Sequence, residues 1–131
     1  MVSPIKHGKH QSQEGFTLIE LMIVMSILGL LLSIALPKYF QGLERAKESV
    51  LIQDLKVMRE AIDHFYQDKG IYPDQLIDLV SYQYLKEIPI DPITSSRSTW
   101  TAITQGDNHQ IYDIKSGSEK ISSDGKPYNA W

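Results

Sequence analysis

Gly15 and Glu20 stand where chemistry would act, one on each side of the start of a long apolar run. Gly15 directly precedes Phe16-Thr17-Leu18-Ile19-Glu20. A glycine in that place presents an unhindered, extended backbone to a protease at a membrane surface. Cleavage between Gly15 and Phe16 would leave a new α-amino group at the very start of a helix. Glu20 would then lie about one turn inside the bilayer, with no basic residue of its own chain nearby. A charged side chain in hydrocarbon costs at least ~2.5 kcal/mol, which makes Glu20 a functional residue by expectation. The partner it needs is a cation at the same depth, and the N-terminal ammonium of a neighbouring copy would supply one. Such a buried pair would set register as well as attraction. The bland alternative is that Glu20 sits at the interface, snorkels or stays protonated.

Other chemistry lacks its residues. His7 and His10 lie in the polar N-terminal stretch, while His64 and His109 stand alone, so neither a zinc site nor a catalytic triad can be assembled. The chain has no cysteine, which excludes a disulfide framework, a thiolate metal site and a cysteine nucleophile together. No phosphate-binding glycine loop is present. A net charge of -3 leaves no basic footprint for nucleic acid.

The element that must position Gly15 and Glu20 is the apolar segment Phe16 to Leu36, FTLIELMIVMSILGLLLSIAL. As a helix it would be about 30 Å long, the thickness of a bilayer's hydrocarbon core. It is longer than the apolar core of a secretory signal, and Ile34-Ala35-Leu36-Pro37 offers only a poor small-x-small site. Lys6 and Lys9 precede it, but Lys38, Arg45 and Lys47 follow closely, so charge alone does not orient it. Met1 to Gly15 is polar and without apolar periodicity, an unfolded leader. From Phe16 a helix can run to about Lys69, roughly 80 Å in all. Its second half carries a stripe, Leu51, Leu55, Met58, Ile62 and Phe65, with Asp54, Lys56, Arg59, Glu60 and Asp63 on the other side. Pro37 removes one backbone donor inside that helix, so a kink is expected there. Lys69-Gly70 reads as its end.

Beyond Gly70 the elements are short. Gln75 to Val80 has the spacing of a small helix, with Asp74 placed to cap it. Pro89 and Pro92 make Ile88 to Ser98 a loop. Trp100 to Thr104 and Gln110 to Lys115 read as two strands joined through Gly106-Asp107-Asn108. Ser122 to Trp131 is a turn-rich tail. The expected class is α+β: one long helix, shaped with the rest like a ladle, carrying a small C-terminal antiparallel sheet.

The run GFTLIELMIVMSILGLLLSIALP, Gly15 through Pro37, resembles the N-terminal signature of type IV prepilins and type II secretion pseudopilins. The leader differs from the usual form in Glu14, directly before Gly15, and in lysines set further back. The resemblance implies a prepilin peptidase cutting after Gly15, N-methylation of Phe16, and Glu20 as the assembly carboxylate. It also implies a cytoplasmic leader (1–15), a transmembrane or filament-core segment (16–36) and a periplasmic domain (37–131). Tyr72-Pro73, Leu76, Leu79, Tyr84-Leu85, Ile88-Pro89, Asp91-Pro92 and Trp100 resemble the major, G-type pseudopilin. So do Tyr112 to Gly117 and the closing Asn129-Ala130-Trp131. The lack of cysteine fits too, since many type IV pilins staple their C-terminal region with a disulfide. The implied partners are further copies of the chain, minor pseudopilins, the peptidase and methyltransferase, an inner-membrane platform with its ATPase, and the lipid bilayer.

G-type pseudopilins often bind calcium in the last loop. Between Gly117 and Trp131 the carboxylates on offer are Glu119 and Asp124, beside Ser122 and Ser123, for an ion that takes six to eight oxygens. A plain Asp124-Gly125 turn is the alternative. The implied function is a non-enzymatic subunit that polymerises into a periplasmic pseudopilus and helps drive protein export. A type IV pilus subunit for adhesion, motility or DNA uptake is the second reading, and a membrane-tethered binding domain the third.

Overall fold

Helix α1 spans Leu18–Lys69 and carries Pro37 within it. The computed structural model describes residues 1–5, 8 and 12–131, so Lys6, His7, Lys9 and His10 of the leader lie outside the described residues. The chain divides into two compact units, Met1–Lys38 and Tyr39–Trp131.

In the N-terminal unit α1 starts at Leu18, two residues later than the apolar run, because Thr17 caps it. Every residue from Leu18 to Leu36 is exposed, and this helix is long and apolar enough to cross a membrane. The two hydroxyls in the segment do not conflict with that surface. Ser26 Oγ donates to the Met22 carbonyl at 2.7 Å and Ser33 Oγ to the Gly29 carbonyl at 2.8 Å. Each polar group is satisfied within the helix, as hydrocarbon demands.

In the C-terminal unit the second half of α1 buries the expected stripe. Leu51, Met58 and Ile62 are fully buried, Leu55 and Phe65 nearly so, and Ala61 joins them. Burial of such side chains stabilises by about 1.5–3 kcal/mol each, and this cluster is the main source of the unit's stability. Lys69 and Gly70 end the helix as their types predict. Gly70 adopts φ 71° and donates to the Tyr66 carbonyl at 2.8 Å, while Lys69 Nζ sits 4.1 Å from the ring centre of Tyr82.

The short helix α2 is Leu76–Ser81, and its N-cap is Gln75 rather than Asp74. Asp78 Oδ2 accepts the Gln75 backbone N–H at 2.9 Å, so a first-turn carboxylate closes the helix start from inside. Strands β1 (Thr101–Gln105) and β2 (Gln110–Lys115) form a two-stranded antiparallel sheet with an irregularity between Ile103 and Thr104. Trp100 precedes the strand instead of opening it, because its indole turns into the core and donates to the Pro89 carbonyl at 2.8 Å. The connection is a single 3₁₀ turn, Gly106–Asn108. A two-stranded hairpin is marginal alone. Here Ile111 and Ile114 anchor it in the α1 cluster, and Ile111 N–H donates to the Pro73 carbonyl at 2.8 Å. The architecture is α+β, as the sequence indicates.

Candidate assembly site

The start of α1 brings Thr17 and Glu20 together. Thr17 N–H donates to Glu20 Oε2 at 3.0 Å, and Glu20 N–H donates to Thr17 Oγ1 at 3.2 Å. This is a reciprocal capping box, which satisfies two of the backbone donors that a helix start leaves orphaned. Its signature, threonine three residues before glutamate and ahead of an apolar run, was legible in the sequence, yet Thr17 carries no role in the sequence reading. Glu20 therefore has a local partner. Its second oxygen, Oε1, accepts no hydrogen bond among the described residues. Cleavage after Gly15 would leave the Phe16–Thr17 peptide intact, so the Thr17 donor survives processing.

Gly15 and Phe16 are exposed, Phe16 at 91%. Among the described residues a Cβ added at Gly15 would meet nothing within 4 Å, and the residue has no positive φ. Nothing among the described residues calls for glycine there. Gly117 is the opposite case, since a Cβ at that position would run into the Thr99 carbonyl. Pro37 sits in α1 without a backbone donor, so the carbonyl one turn earlier, at Ser33, loses its helical partner.

In the closing tail, Glu119 and Asp124 are exposed and make no ion pair among the described residues. Among the described residues no three His, Asp or Glu side chains gather as a metal would require. The carboxylate that does engage the tail comes from α1. Glu48, 7% exposed, accepts Ser123 N–H at 2.7 Å, Ser123 Oγ–H at 2.6 Å and Tyr128 Oη–H at 2.9 Å. The two Ser123 bonds hold its carboxyl below the usual glutamate range against the opposing effect of burial. Burial first, and the bond to Glu48 second, push the Tyr128 phenol up to about 12. Glu48 carried no signal in the sequence beyond being an acid on the stripe side of α1.

Two further polar contacts differ from the sequence reading. Arg59 does not simply face solvent: its Nε donates to Asp113 Oδ1 at 2.8 Å, and its Nη2 to the carbonyls of Ile114 and Trp131, each at 3.0 Å. Asp91, in the proline-bounded loop, is fully buried and accepts Ile93 N–H at 2.8 Å and Ser116 Oγ–H at 2.6 Å.

A prokaryotic N-terminal methylation motif matches residues 10–36. The type II secretion system core protein G of Vibrio cholerae is 31% identical over 99 residues, which cover 64% of this chain and 68% of that protein. This chain belongs to the type IV prepilin-like family, alongside type II secretion core protein G. The core protein G of Klebsiella michiganensis aligns over more of this prepilin-like chain, at 25% identity over 139 residues, 94% of the chain and 96% of the relative. Fimbrial protein EcpC of Eikenella corrodens is 44% identical over 63 residues, 48% of this chain, and the chain spans only 41% of that protein's length. No solved structure gives a significant match.

Proposed function

We propose that the protein is a major pseudopilin, which polymerises into the periplasmic pseudopilus of a type II secretion system and helps drive protein export. The observation that carries this reading is the uncovered apolar half of α1, exposed without interruption from Leu18 to Leu36. An apolar surface of that extent persists only in lipid or against other apolar surface. Lipid covers it before assembly, and the same halves of neighbouring copies cover it in the filament.

The leader, 1–15, lies on the cytoplasmic side and is removed by the prepilin peptidase between Gly15 and Phe16, after which Phe16 is N-methylated. The empty space around Gly15 supports this, because the need for glycine then comes from the protease rather than the fold. Residues 37–131 lie in the periplasm. Glu20 pairs with the N-terminal ammonium of the neighbouring copy through the oxygen that the capping box leaves over. The chain performs no reaction of its own; a cytoplasmic ATPase supplies energy through the inner-membrane platform, and minor pseudopilins complete the filament.

N-terminal mass spectrometry of the membrane-extracted protein tests the reading. The expected species begins at Phe16 and carries one methyl group, whereas a mature chain that keeps its leader would overturn it. A type IV pilus subunit for adhesion, motility or DNA uptake is the second reading, supported by the likeness to a fimbrial protein over 63 residues. The near full-length alignment with core protein G favours the pseudopilus. Long surface filaments containing this chain, recovered by shearing cells that express it at native level, would reverse that preference.

A further inference from the structure

A calcium ion in the closing loop would need inward-pointing oxygen lone pairs, six to eight of them. The loop from Lys120 to Tyr128 turns the opposite polarity inward. Its Ser123 N–H, Ser123 hydroxyl and Tyr128 hydroxyl all point as donors at the Glu48 carboxylate. Three of its carbonyls accept backbone donors of the loop itself: Lys120 O accepts Tyr128 N–H, Ser122 O accepts Gly125 N–H, and Lys126 O accepts Ser122 N–H. The two carboxylates of the segment, Glu119 and Asp124, are exposed and are offset in charge by Lys120 and Lys126. This donor set does not fit calcium.

We propose that the closing loop of this protein is calcium-independent, and that Glu48 is the residue that fixes it. A buried anion reaching across from α1 collects three donors from the tail, and thereby ties Ser123 and Tyr128 to the helix. Hydrogen bonds to a charged acceptor are the strong kind, and removing their common acceptor leaves three donors to be satisfied at once. Tyr128 is itself buried and packs edge-on against Trp131, with ring centres 5.2 Å apart, so the clasp also sets the position of the terminal aromatic pair. The inference concerns only how the C-terminal unit holds its last turn, and it stands whichever filament the subunit joins.

The test is thermal melting of the full chain in detergent micelles, followed by tryptophan fluorescence, in chelator and in millimolar calcium. Wild type is expected to melt at the same temperature in both. Glu48→Gln keeps one acceptor oxygen but loses the charge and sets an amide donor against the Ser123 hydroxyl, and is expected to lower Tm by about 4–8 °C, with no recovery in calcium. If Glu48→Gln fails to fold, Ser123→Ala and Tyr128→Phe each remove one donor and should lower Tm by a few degrees. A calcium-dependent rise in the wild-type Tm would overturn the proposal. So would Glu48→Gln, or both milder variants, melting with wild type.

Discussion

At Glu20 two roles meet in one carboxylate. One oxygen closes the capping box with Thr17, and the other is the one we propose meets a neighbour. The two roles separate by mutation. Glu20→Ala should remain stable in the membrane, since it removes a charge from hydrocarbon, and should fail to join filaments of its own kind. Glu20→Gln should fail nearly as badly despite its shape. Thr17→Ala disturbs the cap, at a cost of about 1 kcal/mol, but keeps the carboxylate, so it should still assemble. Equal failure of Thr17→Ala and Glu20→Ala, scored by filament yield, would assign the defect to capping and not to charge. Glu48 makes a different prediction, in pH. Its folded carboxyl titrates below the ordinary value, chiefly through Ser123, with Tyr128 and Arg45 acting in the same direction. The stability it contributes is therefore complete above about pH 4.3, the unfolded glutamate value, and is lost as pH falls through the folded one. Melting at descending pH should show the gap between wild type and Glu48→Gln closing in acid. Gly117 is a glycine the fold requires for close approach, and Gly117→Ala should destabilise by about 1–3 kcal/mol through the clash with Thr99, read from denaturant unfolding.

The elements divide the work of α1 along its length. The half before Pro37 is apolar apart from Glu20 and two helix-bonded serines, and it buries nothing against the described residues. The half beyond it is amphipathic and buries Leu51, Met58 and Ile62 completely. Met58→Ala should cost about 2–5 kcal/mol in the C-terminal unit, because the side chain is fully buried and its neighbours refill the space only in part. It should leave membrane insertion unchanged, since insertion depends on the other half. Pro37 lies close to the change of character. The helix continues through it, but the Ser33 carbonyl lacks its partner, which weakens that turn. Pro37→Ala should restore the hydrogen bond and slow assembly without lowering the Tm of the C-terminal unit. Unchanged assembly kinetics would count against a hinge there.

For the whole molecule, the apolar half of α1 forces a choice between lipid and other copies. That choice is the physical basis of a subunit stored in a membrane and withdrawn into a filament. Gly15→Leu should insert normally but keep its leader and never polymerise, because the uncut chain has no ammonium at the depth of Glu20. Immunoblotting for the leader-bearing form, together with filament recovery, decides this. Normal processing and assembly of Gly15→Leu would remove the basis for the leader's proposed role.

Much of this was determined by sequence alone, wherever the controlling physics is local or periodic. The apolar run, broken only by Glu20 among charges, sets the length of a membrane helix, the four-and-three spacing from Leu51 to Phe65 sets which face is buried, and Lys69-Gly70 sets where the helix stops. Even the Thr17–Glu20 cap was there to be read, being a contact between residues three apart. The tertiary structure alone decided the long-range polar contacts. Glu48 meets Ser123 and Tyr128 across separations of 75 and 80 residues, and Arg59 meets Asp113 across 54. No local pattern encodes such pairs, because an acid or an arginine on a helix face looks solvated until the fold brings its partner. That is why the tail's own sequence offers Glu119 and Asp124, while the carboxylate that holds the tail lies on the helix.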